Sequence, residues 1–293
     1  MIPRALSYFR ARLQAAVRAL YHDPMPVGGI AVALLLGTSA LLEVPVSWAV
    51  LAAGFSGTAL VYGVDRVLTT SPEDAINRPD RRWWVRTHRN RLWIEMGLLL
   101  GVVGVSLPLL RPGALLVSAA LGLVVGLHLL PGDRWGRPLQ KIPLLKPVAV
   151  AGAWAAGSTL VPLVDGGGTM RFGVFALGGY RMLFILPNVL LADWADREGD
   201  AAVGLAVWTP GESLYALRLT STVLLTGGIV GAVVAVHSYG APTLLLVDVL
   251  GVIAMLGATW RLRPWHSPAQ AFMLDLIVAW PLVPWLVHQW GVL

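Results

Sequence analysis

The clearest chemical pattern in the sequence is a group of three aspartates, in the segment Asp193-Trp-Ala-Asp196-Arg-Glu-Gly-Asp200. The i, i+3, i+7 spacing places their carboxylates within roughly 60° on one face of a helix that turns about 100° per residue. Such carboxylates repel one another and, at a helix C-terminus, oppose the helix dipole. A divalent cation would relieve this repulsion, and Mg²⁺ prefers oxygen ligands. The alternative is a solvated helix end, with Arg197 as a partial partner.

A second acidic cluster lies earlier in the chain, and it comprises Asp65, Glu73, Asp74 and Asp80. If the two clusters face each other, they could hold Mg²⁺ ions together with a diphosphate. Cationic side chains near the clusters would then neutralise the remaining phosphate charge. The best-placed cations are Arg66, Arg78, Arg81, Lys141 and Lys146. Taken singly, each of these is explained more simply as a residue that marks the cytoplasmic side of a membrane.

The composition indicates that membrane-spanning helices position these groups. Hydrophobic residues make up 56% of the 293 residues, charged residues only 13%, and the mean hydropathy is +0.70. A soluble domain carries roughly 25% charged residues. The composition therefore excludes disordered chains, collagen-like repeats and most soluble enzymes. The chain has no cysteine, which excludes disulfides, thiolate metal sites and cysteine nucleophiles.

We predict an all-α polytopic membrane protein, in which nine transmembrane helices form a bundle around a central cavity. A span needs about 20 mostly apolar residues. Residues 1–293 are predicted to form a single domain, with a cytoplasmic amphipathic segment over 1–25 and the bundle over 26–293. Helices one to four and five to eight would form a pseudo-repeat. The nine predicted segments are 26–42, 46–65, 92–110, 113–130, 146–164, 172–194, 213–236, 241–260 and 270–290.

The distribution of lysine and arginine predicts the orientation of these helices. Nineteen basic residues fall on one side, only Arg111 and Arg171 fall on the other, and Arg181 lies within a span. Basic residues mark the cytoplasmic side, so the N-terminus is predicted there and the C-terminus outside, in the cytoplasmic membrane if the source is bacterial. Both acidic clusters then lie on the cytoplasmic face. This topology, with anionic membrane lipids as partners, explains the net charge of +6 and argues against nucleic acid.

Arg181, Asp248 and Asp275 fall inside predicted spans, where charge is costly and indicates function. Arg181 and Asp248 could recognise an acceptor or form a structural pair, and the sequence favours neither. Asp275 lies nearer the cytoplasmic mouth and is a candidate for substrate binding. Asn188 lies about 140° around the helix from Asp193, so we do not expect it on the acidic face.

Glycines four residues apart could also bring helix backbones together. The abundance of glycine, 32 of 293 residues, explains such pairs equally well. The pairs are Gly97/Gly101, Gly122/Gly126 and Gly227/Gly231.

The acidic segment around residue 196 resembles the second motif of the UbiA superfamily of intramembrane prenyltransferases. The family pattern DxxDxxxD is matched from Asp193 to Asp200, including the Arg-Glu-Gly before the last aspartate. The segment Lys141-Ile-Pro-Leu-Leu-Lys146 resembles the family sequence between helices four and five. With the nine predicted spans, the resemblance covers nearly the whole chain.

The first motif departs from the family form, which is NDxxDxxxD followed by Asn and Pro. Val61-Tyr62 stands where the family has Asn-Asp, so a phenol replaces one carboxylate. An extra stretch, 69–73, separates Asp65-Arg66 from Asp74-Ala-Ile-Asn77-Arg78-Pro79. These differences indicate a divergent branch of the superfamily.

The resemblance implies an enzyme that transfers a polyprenyl group from its diphosphate, with Mg²⁺, to a lipophilic or aromatic acceptor. The implied catalytic residues are Asp65, Asp193 and Asp196. The implied metal ligands are Asp65, Asp74, Asp193, Asp196 and Asp200, with Glu73 as a replacement for the lost carboxylate. The implied substrate-binding residues are Tyr62, Arg66, Asn77, Arg78, Lys141, Lys146 and Asp275. The alternatives are a UbiA-type terpene cyclase, which ionises the diphosphate without an external acceptor, and a non-catalytic lipid-binding or transport protein.

Overall fold

The computed structural model describes residues 19–68, 72–129, 144–202, 204, 213–263 and 267–291, without the side chains of residues 68, 72–74 and 127–129. Within these ranges the chain forms helices and no strand, so the predicted all-α class is confirmed. The amphipathic segment predicted for residues 1–25 falls mostly outside the described residues. The helices are α1 (Met25–Leu42), α2 (Trp48–Leu68), α3 (Pro72–Asn77), α4 (Pro79–Thr87), α5 (Arg89–Ser106), α6 (Pro112–Leu129), α7 (Leu145–Asp165), α8 (Phe172–Ala202), α9 (Leu214–Tyr239), α10 (Leu244–Arg261), α11 (Pro268–Val278) and α12 (Leu282–Gln289).

Most of these helices are long and apolar enough to cross a membrane, which confirms a polytopic membrane protein. Seven described helices meet that test alone: α1, α2, α5, α7, α8, α9 and α10. Helices α11 and α12 meet it together, with a bend of 41° between them, and Pro112–Gly126 in α6 is apolar but shorter. Each predicted segment overlaps one of these elements. The count of nine spans stays a prediction, because α6 is short over the tested residues and the last span is broken.

Helix packing forms a closed circuit within the described part of the chain. Helix α1 packs against α7, α7 against α8, α8 against α10, α10 against α12, and α12 returns to α1. Helices α5 and α9 lie at the periphery, where only 22% of the spanning residues are buried, against 67% in α1. Peripheral faces of this kind are rich in large apolar side chains, as a lipid-facing surface requires. Helix α8 also contacts α3, α9 and α11, which places it at the centre of the fold.

Helix α8 is longer than a membrane span requires. It has 31 residues, so at 1.5 Å per residue it is about 46 Å long, whereas the hydrocarbon core is about 30 Å thick. Its apolar part begins at Phe172, and its last ten residues carry the three aspartates from Asp193 to Asp200. The acidic end therefore extends beyond the apolar part of the bundle.

Two glycines allow helices to approach the bend between α11 and α12. A Cβ at Gly37 in α1 would overlap the backbone of Pro281, and a Cβ at Gly251 in α10 would overlap the Trp280 side chain. The indole of Trp280 also donates a hydrogen bond to the carbonyl of Val247 at 3.0 Å. The glycine pairs expected to bring helices together do not do so, because a Cβ at any of them would meet nothing within 4 Å: Gly97, Gly101, Gly122, Gly126, Gly227 and Gly231.

Candidate functional site

The lysine at the start of α7 contacts the acidic end of α8. Nζ of Lys146 lies 3.0 Å from Oδ1 of Asp193 and 3.6 Å from Oδ2 of Asp200. Helix α7 begins directly after Leu144, which adopts a left-handed φ of 67° that is rare for leucine. This sharp entry into α7 places Lys146 in the first helical turn, beside α8. The lysine thus bridges the first and last carboxylates of the acidic face.

The connection after α2 supplies the second cation, because Nε of Arg78 lies 2.8 Å from Oδ1 of Asp196. Arg78 directly follows α3, which packs against α8. All three aspartates of the acidic face are therefore in contact with a basic side chain from another element. Arg78 and its neighbour Asn77, which follow Asp74 in the chain, thus contact the acidic end of α8, and the approach of the acids of the second cluster to that face stays a prediction.

Asn77, the last residue of α3, fixes α3 to the acidic end of α8. Its Nδ2 donates to the carbonyl of Asp196 at 2.5 Å and lies 3.4 Å from Oδ1 of Asp200. Its Oδ1 accepts a hydrogen bond from the backbone N–H of Gly199 at 2.7 Å. A Cβ at Gly199 would lie 2.5–2.6 Å from the side-chain atoms of Asn77, so a side chain at residue 199 would displace the Asn77 amide. The amide of Asn77 therefore positions two elements, and its predicted contact with substrate remains a prediction.

The last turn of α2 holds Asp65 and Arg66, which the sequence placed in the site. The guanidinium of Arg66 donates to the backbone carbonyl of His22, which ties α2 to the chain before α1. The charge of Asp65 acts on both Arg66 and Tyr62. The rings of Tyr62 and Trp154 pack edge to face with centroids 6.3 Å apart. Three of these predicted residues thus lie together at one end of α2.

The carboxylate of Asp275 in α11 accepts a hydrogen bond from a residue that was not among the predicted site residues. Nδ2 of Asn188 in α8 donates to Oδ1 of Asp275 at 2.9 Å. The carboxylate also interacts electrostatically with Arg66, Arg78 and Tyr62. Asn188 lies off the acidic face, as expected, because it points towards α11. A polar amide inside an apolar span was the only signal in the sequence that could have identified this pair.

Arg181 and Asp248 form a buried ion pair. The sequence left open whether these residues form such a structural pair or recognise an acceptor. Nη1 of Arg181 lies 2.6 Å from Oδ2 of Asp248, with 0% and 1% of the two side chains exposed. Nε of Arg181 also donates to Oγ1 of Thr38 at 3.0 Å, so the pair joins α1, α8 and α10. Arg181 precedes Asp193 by 12 residues, which is about 18 Å along α8. The pair therefore lies well away from the acidic end of α8.

The donor set at the acidic end of α8 fits Mg²⁺. Among the side chains that the structure describes, no three histidine, aspartate or glutamate groups converge closely enough to hold a metal ion by themselves. Mg²⁺ nevertheless needs only one or two carboxylates when phosphate oxygens and water complete its shell, and three share this face. Three predicted site residues lie outside the described side chains: Glu73, Asp74 and Lys141.

No family model matches the sequence, and no curated protein matches it either. Solved structures do match its fold. A UbiA homologue from Aeropyrum pernix K1 superposes with a TM-score of 0.61 at 14% identity, over 88% of this chain and 98% of that one. A UbiA homologue from Archaeoglobus fulgidus, bound to GPP and Mg²⁺, gives 0.60 at 13% identity, over 92% and 99%. A digeranylgeranylglyceryl phosphate synthase structure gives 0.55 at 16% identity, over 94% and 98%. The fold that the sequence motifs implied is confirmed, and the chain has the UbiA fold.

Proposed function

We propose that the protein is a Mg²⁺-dependent intramembrane prenyltransferase, which transfers a polyprenyl group from its diphosphate to a lipophilic or aromatic acceptor. The observation that carries this proposal is the convergence of Asp193, Asp196 and Asp200 with Lys146 and Arg78 from two other elements. It is supported by the UbiA fold, because homologues with this fold from Archaeoglobus fulgidus hold GPP or DMAPP together with Mg²⁺.

The three aspartates would hold Mg²⁺, with Asp65, Glu73 and Asp74 as further candidate ligands. Bound Mg²⁺ neutralises the negative charge that develops on a departing diphosphate, which favours ionisation of the allylic C–O bond. Asn77 holds α3 against α8, so the residues that flank it approach the acidic face in a defined geometry. The chain thus supplies carboxylates from α8 and cations from the elements that pack against it.

Lys146 and Arg78 would change partners when the substrate binds. Their charges compensate the repulsion among Asp193, Asp196 and Asp200. With a metal ion at the three aspartates, Lys146 and Arg78 would be free to turn towards the diphosphate oxygens. Lys141 and Arg66 are further candidates for this contact. Metal binding at the aspartates would release the two cations, and the released cations would bind the diphosphate. We therefore expect metal and diphosphate to bind cooperatively.

Polar and aromatic side chains deeper in the bundle would line the space for the prenyl chain and the acceptor. Tyr62, Trp154, Asn188 and Asp275 belong to four packed helices, yet each retains accessible surface. Interior residues with accessible surface are what the walls of an internal cavity would present. Such a cavity must exclude bulk water, because a prenyl cation would otherwise be hydrolysed.

The orientation of the bundle is part of the same proposal. The acidic end of α8 lies beyond the apolar part of the helix, and the excess of basic residues predicts that this end faces the cytoplasm. A water-soluble diphosphate headgroup would then bind at the cytoplasmic surface while its prenyl chain enters the membrane. Anionic lipids would contact the surrounding arginines.

The test is release of diphosphate by the purified full-length protein in liposomes, with Mg²⁺ and labelled geranyl, farnesyl or geranylgeranyl diphosphate. We expect release that EDTA abolishes and that Asp196→Ala reduces by at least about 100-fold. Glu43→Ala is the control, since Glu43 is an exposed acid directly after α1 and belongs to neither acidic cluster. Release that persists in Asp196→Ala would overturn the site assignment. Release that yields a hydrocarbon without any acceptor would favour the cyclase, and no release from any donor would favour a non-catalytic protein.

A further inference from the structure

Of the two carboxylate oxygens of Asp275, only one accepts a hydrogen bond from a residue that the structure describes. Oδ1 accepts the hydrogen bond from Nδ2 of Asn188 at 2.9 Å. Oδ2 makes no hydrogen bond to any residue that the structure describes, and the side chain keeps part of its surface accessible. An acidic group within a spanning helix is costly, and one that is only half satisfied needs a further explanation.

Asp275 contacts α8 at Asn188, deeper along the helix than the acidic face. Its charge interacts with that of Arg78, whose Nε contacts Asp196 at 2.8 Å. Its partner Asn188 precedes Asp196 by eight residues, about 12 Å deeper along α8. A diphosphate bound near Asp196 would therefore place its allylic carbon on the side of Asp275, towards the apolar part of the bundle.

We propose that Asp275 is the base that accepts the proton released during prenyl transfer, and that Asn188 is the positioning residue that orients it. This inference rests on the proposed function. In the step, the allylic C–O bond breaks and its electron pair leaves with the diphosphate. The acceptor then forms a bond to the allylic carbon, and the proton that the acceptor loses passes to Oδ2 of Asp275. No oxidant or further reactant is required.

Other groups near this point are already engaged. Asp193, Asp196 and Asp200 contact Lys146 or Arg78 and are the candidate metal ligands. Tyr62 packs its ring edge to face against Trp154. Asp275 differs from them because its only described hydrogen bond orients it and leaves one oxygen for a proton.

The experiment separates ionisation of the donor from transfer to the acceptor. Full-length protein in liposomes is given Mg²⁺, tritiated farnesyl diphosphate and a total lipid extract of the source membranes, and both diphosphate release and labelled lipid are measured. We expect Asp275→Asn to keep diphosphate release within about threefold of wild type and to lose labelled lipid by about 100-fold or more, with the label appearing as farnesol. Asn188→Ala should lower transfer by about tenfold without changing the KM for the donor.

Two control variants and one binding measurement accompany this experiment. Asp275→Glu retains the carboxylate and should recover part of the transfer, and Glu43→Gln makes the matching carboxylate-to-amide change at an exposed acid directly after α1. The stabilisation of Asp275→Asn by Mg²⁺ with inorganic pyrophosphate should match that of wild type, which shows an intact metal site. Transfer unchanged in Asp275→Asn, or transfer and release lost together, would overturn this inference alone. A wild-type protein that releases no diphosphate would overturn the proposed function and this inference with it.

Discussion

Nζ of Lys146 lies 3.0 Å from Oδ1 of Asp193, and this ion pair joins the first turn of α7 to the acidic end of α8. The lysine therefore occupies the side of α8 from which a metal ion would approach Asp193 and Asp200. A positive charge at this place lowers the affinity for Mg²⁺ alone, because the cation and the metal compete for the same oxygens. The same charge favours binding when a diphosphate accompanies the metal.

We expect Lys146→Met to raise the affinity for Mg²⁺ alone by about tenfold, which corresponds to about 1.4 kcal/mol. The affinity for inorganic pyrophosphate in the presence of Mg²⁺ should fall, since the variant lacks the ammonium group. Thermal stabilisation measured against Mg²⁺ concentration, with and without pyrophosphate, checks both effects. Lys146→Arg keeps the charge and should behave like wild type in the first titration. An unchanged Mg²⁺ affinity in Lys146→Met would contradict this competition.

The close contact between Asn77 and Gly199 gives a second prediction. Alanine normally stabilises a helix interior by about 1 kcal/mol relative to glycine, but here its Cβ would lie 2.5 Å from the amide of Asn77. Gly199→Ala should therefore push α3 away from α8 and lower diphosphate release by about tenfold or more. Gly179→Ala is the control, because the same helix has open space at that position. Equal activities of the two variants would show that the Asn77 contact does not position the site.

The sequence predicted the acidic face of α8 because its spacing depends only on helix geometry. It also placed Arg78 and Lys146 near that face, because long connections after two parallel spans end on the same side of the membrane. It could not predict that the amide of Asn77 binds the backbone of α8. That contact depends on the direction of α3, which begins within the extra stretch that the family pattern lacks.

Deeper in the bundle, the sequence identified residues but not their partners. Asp248, Asp275 and Arg181 stood out because charge is rare in apolar helices, and the structure pairs two of them with each other. The partner of Asp275 is Asn188, an uncharged residue on a helix distant in sequence, so only tertiary packing reveals it. The glycine pairs failed for a related reason, since spacing alone does not show whether a helix faces a neighbour or lipid.

The approach of α1 to the bend between α11 and α12 gives a third prediction. A Cβ at Gly37 would overlap the backbone carbonyl of Pro281, and a backbone cannot move aside as a flexible side chain can. Gly37→Ala should lower the free energy of unfolding by about 1–3 kcal/mol. Gly29→Ala lies in the same helix and meets nothing within 4 Å, so it should be neutral or slightly stabilising. Thermal unfolding in detergent compares the two, and equal melting temperatures would contradict the close approach.

The ion pair between Arg181 and Asp248 gives the last prediction. Both side chains are almost fully buried, so Asp248→Leu leaves the Arg181 guanidinium without its charged partner in an apolar environment. We expect this variant to lose about 3–5 kcal/mol of unfolding free energy, because an uncompensated buried charge is strongly destabilising. The double variant Arg181→Met/Asp248→Leu removes both charges and should recover most of that loss. Since the pair lies about 18 Å from Asp193 along α8, the double variant should release diphosphate within about twofold of wild type. Recovered stability and diphosphate release, with loss of transfer to the acceptor, would instead assign the pair to acceptor recognition, which was its other interpretation from the sequence.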